Sequence, residues 1–235
     1  MRFNTLKPAE IWPVGWLDLV GDGQIGAGMD IGTTVKEKSN PSAIAFTEKA
    51  GLDFVVRAVV RFKTDNPAIT KAILRCALDG LKARNKRVRK FCIDATSERF
   101  FAAGLRDELA GELVTELVIA SESMEYLGEK MTVKSYLGNL FVNTMDDGHL
   151  LLPNAEWLRD DIRQVKRDRG TFEADVDEEG NHADAFTAIE HSLHALVSTS
   201  GPAMAAPAPV GSFGTGKKPQ RPGIRNPFAH LFDRK

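Results

Sequence analysis

The succession of apolar patterns along the chain constrains its fold more tightly than any single motif. Residues 25–31 form an apolar run with small residues and one aspartate, and an apolar run resumes at 43–47. Residues 52–62 (Leu-Asp-Phe-Val-Val-Arg-Ala-Val-Val-Arg-Phe) are rich in β-branched and aromatic side chains. Three such runs joined by short polar connections predict an antiparallel meander. The period then changes. Ile69, Ile73, Leu74, Ala77, Leu78 and Leu81 follow helical spacing behind an Asn66-Pro67 start. Beyond them, a strand is expected over 88–93, a helix over 97–109 and a strand over 114–120. A long helix is expected over 124–145, a short strand over 149–152, and a helix from Pro153 to about Lys166. An alternating strand follows at 171–176. Last comes a helix over 182–197 with Ala185, Phe186, Ile189, Leu193 and Leu196 on one face. Strands that alternate with helices imply parallel crossovers. The chain therefore reads as α/β, with three antiparallel strands followed by parallel ones in a mixed sheet flanked by helices.

That strand order is the logic of the ribonuclease H fold. In such a sheet the ends of the first and fourth strands lie side by side, where ligands favour the sheet edge. Three aspartates acquire meaning from this placement. Asp30 falls at the end of the first run, Asp94 at the end of the fourth, and Asp184 at the start of the last helix. A carboxylate on an apolar strand is costly to bury unless it is paired or bound to a metal. Taken singly, each Asp is equally a turn former or helix cap. Taken together, on those elements and in that order, they predict a divalent-cation site. Mg²⁺ takes oxygen ligands, usually a few carboxylates completed by water and phosphate. Two such ions can clamp the attacking and leaving oxygens of a phosphodiester, so Asp30 is expected to bridge two Mg²⁺ or Mn²⁺ ions, with Asp94 and Asp184 on either side. Glu98 could add a ligand or orient a water, and Asp175 or Asp177 could stand in for Asp184. His182, two residues before Asp184, is either a phosphate contact, proton relay or metal ligand, or an exposed helix-entry imidazole. His191 and His194 share a helix with core residues and read as surface or packed histidines.

Composition bounds the remaining possibilities. At 235 residues, with 43% apolar and 27% charged side chains, the chain has enough material for one sizeable core. Residues 1–22, with Pro8, Pro13, Trp12 and Trp16, read as an entry or linker segment before a domain at 23–198. Residues 199–235 are rich in Pro, Gly, Ala and Lys and read as a flexible basic tail. The two cysteines, Cys76 and Cys92, have no metal-ligand spacing and are too few for a disulfide framework, which predicts a reducing, cytoplasmic setting. No apolar run approaches membrane-spanning length, and the N-terminus has no signal-peptide layout. The block Lys82-Ala-Arg-Asn-Lys-Arg-Val-Arg-Lys90 could neutralise phosphates, but it precedes its strand and so reads better as a solvated helix end away from the site. Lys36 and Lys38 in the loop after Asp30, with Lys130 and Lys134 on the expected long helix, are the candidate DNA-binding residues.

Two family resemblances carry these motifs further. Gly28-Met-Asp-Ile-Gly-Thr-Thr34 resembles the first phosphate turn of the actin and sugar-kinase ATPases. The second turn of that superfamily would be Ile93-Asp-Ala-Thr-Ser97, which has no glycine, and no adenosine loop follows. The stronger resemblance is to the nuclease domain of tailed-phage terminase large subunits, in a Mu-like branch. It rests on Gly28-Met-Asp-Ile-Gly32, Ile93-Asp-Ala-Thr96, Gly148-His-Leu-Leu-Leu-Pro-Asn154 and His182-Ala-Asp-Ala-Phe-Thr-Ala188, spread from Ile25 to Val197. It implies a metal-dependent endonuclease cutting concatemeric double-stranded viral DNA during genome packaging in the cytoplasm of an infected bacterium. It also implies portal, procapsid and small-terminase partners. No Gly-x-x-x-x-Gly-Lys-Ser/Thr loop is present, so an ATPase motor is expected on a separate chain or segment. Competing readings are a Holliday-junction resolvase, a transposase-type enzyme, or an inactive module that docks on DNA or a portal.

Overall fold

A computed structural model describes residues 7–33, 40–168, 170–175 and 182–198. Three antiparallel strands open the main sheet: β1 (Gln24–Asp30), β2 (Ser42–Ala50) and β3 (Asp53–Phe62). Asp30 pairs with Ala43 at one end of β1 and Gln24 with Lys49 at the other, while β2 and β3 run from Ser42↔Phe62 to Ala50↔Asp53. β4 (Val88–Asp94) lies parallel to β1 on its free side, and β5 (Thr115–Val118) lies parallel to β4. With β8 (Leu150–Leu151) parallel to β3, the six-stranded order is β5-β4-β1-β2-β3-β8. The antiparallel start followed by parallel strands agrees with the pattern in the sequence.

Period-two alternation sorts β1 and β4 onto two faces. Ile25, Ala27 and Met29, with Phe91 and Ile93, enter a core beneath α2 (Pro67–Ala83) and α3 (Arg99–Leu109). The short α1 (Pro8–Ile11) and a following 3₁₀ turn close this core. Trp12 stacks on Trp16, both rings pack on Phe46, and the Trp12 indole N–H donates to the Ile73 carbonyl at 2.9 Å. The opposite face carries Gly26, Gly28 and Asp30 of β1, and Lys90, Cys92 and Asp94 of β4. It is covered by α6 (Asp184–Val197), α4 (Val133–Asp146) and α5 (Glu156–Arg163). α6 lies directly on β1, where a Cβ added at Gly28 would sit 2.1 Å from the Ala188 carbonyl and 2.4 Å from the Ser192 amide nitrogen. Only glycine permits so close an approach.

Two element boundaries differ from the sequence expectation. The long helix expected over 124–145 is a β-hairpin, β6 (Ser123–Tyr126) and β7 (Glu129–Thr132), followed by α4. Leu127 and Gly128 take φ of 52° and 83°, the two consecutive left-handed residues of a tight hairpin turn. Thr132 then caps α4 by accepting from the Ser135 amide at 3.1 Å. The helix expected to reach Lys166 stops at Arg163, because β9 (Val165–Asp168) pairs with β10 (Thr171–Ala174). Among the described residues no helix is long and apolar enough to cross a membrane.

Candidate active site

β1 and β4 are parallel neighbours in register from Gly26↔Lys90 to Met29↔Ile93, so their terminal residues, Asp30 and Asp94, emerge together at one sheet edge. Both belong to the face covered by α6. A cavity of about 450 Å³ opens there, lined among others by Asp30, Asp94, Glu98, Lys134, Glu190 and His191. Glu98, just before α3, accepts a 2.7 Å hydrogen bond from the Thr33 hydroxyl, which ties the segment after β1 to the segment after β4. The Asp94 carboxylate accepts from the Thr96 amide at 2.8 Å, holding the turn beyond the strand. Gly32 is braced by the Ser42 hydroxyl, which accepts from its amide at 3.0 Å and donates to its carbonyl at 2.9 Å.

The electrostatics of this edge are those of crowded carboxylates. Burial, then the charges of Asp94 and Asp184, raise the Asp30 pKa well above the ordinary carboxylate value. Glu190 is raised in the same way by burial and by Asp94 and Asp30, with Lys134 opposing the shift. Asp184, 1% exposed, is pushed up to about 6 by burial; the His182 amide, donating at 3.4 Å, and Arg61 oppose that shift, while Asp161 adds to it. The donor set is hard carboxylate oxygen, with Asp30, Asp94 and Glu98 half-buried at the cavity wall. These features fit divalent cations, which remove the mutual repulsion.

The structure treats the residues singled out by sequence unevenly. It brings Asp30, Asp94, Glu98 and Lys134 to the wall of one cavity. Asp184 is not among the lining residues, but its charge acts on Asp30. His182 is half-buried and meets Asp184 through its backbone; it does not line the cavity. Asp175 is held away from this site. It follows β10, where it forms an exposed ion pair with Lys166 on the β9–β10 hairpin. Lys130 sits in the exposed β6–β7 hairpin rather than on a helix, opposite Glu125. Lys36, Lys38 and Asp177 lie outside the described residues. Much of the basic block at 82–90 is consumed internally. Arg84 pairs with Asp18, Lys86 with Asp22, and Arg89 donates to the Ala195, Leu196 and Ser198 carbonyls.

Three groupings escaped the sequence reading. Glu190 and His191 occupy the α6 face that meets the cavity, and two adjacent ionisable residues in the middle of a largely buried helix were the available signal. Asp161 of α5 is buried, pairs with Arg61 at 3.4 Å and accepts from the Phe186 amide at 3.1 Å, clamping the first turn of α6. Finally, the ligand atoms of Cys92, Glu116 and His194 all lie within 4.8 Å of one another, a trio that spacing along the chain conceals. The fully buried Lys90 ammonium already bonds Glu116 at 2.7 Å and the Ser198 hydroxyl at 2.7 Å. His194, ahead of Lys90, holds Glu116 down to about 2, while burial raises the Cys92 thiol away from the thiolate a metal needs. We read Lys90, Glu116 and His194 as a polar network that pins α6 to β4 and β5, with the neutral Cys92 thiol beside it.

The fold and its paired strand-end aspartates define a ribonuclease H-like α/β domain. Residues 27–196 match the terminase RNaseH-like domain family, and the chain belongs to that family. No curated protein sequence matches it. Among solved structures, it is similar to the large terminase nuclease of thermophilic phage G20c, at 13% identity and a TM-score of 0.53 over 73% of this chain and 81% of that one. A second G20c structure with bound magnesium aligns at 12% identity and a TM-score of 0.51, over 74% and 82%. A mutant fragment of the large terminase subunit of bacteriophage Sf6, with calcium, aligns at 10% identity and a TM-score of 0.50, over 80% of this chain and 98% of that one.

Proposed function

We propose that this chain is the nuclease of a phage DNA-packaging terminase, hydrolysing double-stranded viral DNA with Mg²⁺ or Mn²⁺. The observation that carries the reading is the emergence of Asp30 and Asp94 from adjacent parallel strands into one cavity, with Asp184 acting on Asp30 from the start of α6. Membership in the terminase RNaseH-like family and the magnesium-bound G20c relative support it.

In this reading Asp30 would serve both cations, with Asp94 on one side and Asp184 on the other. Two bound cations would supply a nucleophilic water at neutral pH and stabilise the departing 3′ oxygen. The protein's own part is placement. The strand ends fix the carboxylates rigidly, and Glu98, anchored by Thr33, orients water at the cavity rim. Lys134 offers a cation on the same wall for a phosphate oxygen. From the sequence, Lys36, Lys38 and Lys130 are further DNA contacts and His182, two residues before Asp184, is a phosphate contact. The packaging partners are duplex DNA, the portal of the procapsid, a small terminase subunit and an ATPase motor.

The test is a plasmid cleavage assay with purified protein. Nicking and linearisation are expected with Mn²⁺ and none in chelator, and Asp30→Ala and Asp94→Ala are expected to abolish cutting while retaining the wild-type circular dichroism spectrum. Cleavage undiminished in either folded variant overturns the assignment. Equal cutting of four-way junctions and linear duplex supports it over a resolvase.

A further inference from the structure

The two ring nitrogens of His191 are used unequally. The side chain is 2% exposed, and Nδ1 lies 2.7 Å from the Thr187 carbonyl oxygen, one helical turn back. A carbonyl can only accept, so Nδ1 carries the proton of the neutral ring and Nε2 is left with its lone pair. Nε2 is enclosed and has no hydrogen-bond partner among the described residues. A buried imidazole with one satisfied and one empty nitrogen is costly as pure packing. The empty nitrogen belongs to a residue that lines the same cavity as Asp30, Asp94 and Glu190, and Asp94 is the strongest charge acting on the ring.

An imidazole whose Nδ1–H is held by a backbone carbonyl is the usual preparation of a metal ligand, because the hydrogen bond fixes both tautomer and ring orientation. We infer that His191 Nε2 is a nitrogen ligand to the divalent cation on the Asp94 side of the site. This rests on the metal-dependent reading above and gives the centre a mixed oxygen and nitrogen shell. Imidazole suits transition ions better than it suits Mg²⁺, so such a shell favours Mn²⁺. Glu190, one residue earlier on α6, supplies a further carboxylate to the same wall.

Pulsed electron paramagnetic resonance of Mn²⁺ bound to the full chain tests this without turnover. A ¹⁴N modulation from a directly bound imidazole is expected in the wild type, replaced by a ¹⁵N pattern in protein grown on ¹⁵N-histidine. It is expected to persist in His182→Ala and to vanish in His191→Gln, which is expected to bind Mn²⁺ on the order of 10-fold more weakly. If His191→Gln fails to fold, the wild type and His182→Ala decide: modulation absent from the wild type, or lost in His182→Ala, overturns the inference. Modulation that persists in folded His191→Gln overturns it as well. Each of those results leaves a bound cation and the nuclease reading standing. Absence of any chelator-sensitive Mn²⁺ binding overturns the nuclease reading itself.

Discussion

Gly28→Ala tests whether the whole site depends on one close approach. A methyl group at Gly28 meets only backbone, 2.1 Å from the Ala188 carbonyl oxygen and 2.4 Å from the Ser192 nitrogen. Ordinary C···O contacts lie at about 3.3–3.6 Å, so α6 and β1 must separate by roughly 1 Å. Neither partner is a flexible side chain that can turn aside. A gap of that size forfeits a quarter to a half of each dispersion contact along the helix–sheet seam. Overpacking of a close-packed core costs typically about 1–3 kcal/mol, and this site belongs at the upper end because backbone meets backbone. About 3 kcal/mol corresponds to a fall in Tm of roughly 6–12 °C for a domain of this size. Gly104 is the control, since nothing lies within 4 Å of its added Cβ. In the interior of α3, Gly104→Ala is expected to stabilise by about 0.5–1 kcal/mol. Thermal melts followed by circular dichroism compare the two. A Gly28→Ala melt within about 2 °C of wild type, less than 1 kcal/mol, refutes the seating of α6 on β1. The same variant is expected to lose on the order of 100-fold in cleavage, because a 1 Å displacement of a catalytic group costs about that much.

Three further outcomes follow from the charges. Asp184 is raised from 3.8 to about 6, so the folded state binds the extra proton between those values. Its stabilising contribution is complete below the unfolded pKa and is lost as pH rises through about 6, a swing on the order of 3 kcal/mol; Asp30 and Glu190 add in the same direction. Urea unfolding in chelator is therefore expected to show greater stability at pH 5 than at pH 7, and Asp184→Asn to flatten the slope. Glu116, lowered to about 2, acts oppositely, but only as pH falls below its ordinary 4.5. Asp30→Asn removes a buried like charge. It is expected to raise the metal-free Tm while erasing the stabilisation that Mn²⁺ gives the wild type, and a larger Mn²⁺ response in the variant contradicts the site. Lys90→Ala strips the buried cation from Glu116 and is expected to cost about 3 kcal/mol in chemical denaturation. Lys90→Met, which keeps the apolar stem, is expected to cost less.

The legible parts of the fold were those governed by local periodicity. β1 to β4 read as apolar or β-branched runs, α2 and α6 carry a 3.6-residue pattern, and their order implied a mixed sheet with Asp30 and Asp94 at adjacent ends. The β6–β7 hairpin was not legible, because Leu127-Gly128 is a weaker turn signal than Asn-Gly, and Met124 and Met131 suit a helix equally well. Asp175 competed with Asp184 on paper because both lie near the last helix. Pairing of β10 with β9 carries Asp175 instead to Lys166 on a separate hairpin.

What the chain determines by itself is which residues end strands or open helices, since backbone pattern and side-chain polarity are local properties. The partners of those residues are set elsewhere. Gly28 looks like part of a phosphate turn, yet its effect is to admit α6 against β1. Glu190 and His191 look like a helix interior until that contact turns them onto the wall shared with Asp94. Cys92, Glu116 and His194 come from three distant segments and meet only across β4, β5 and α6. Desolvation and like-charge repulsion act over a few ångströms of space, whatever the separation along the chain, so the chemistry of this site is decided by tertiary structure.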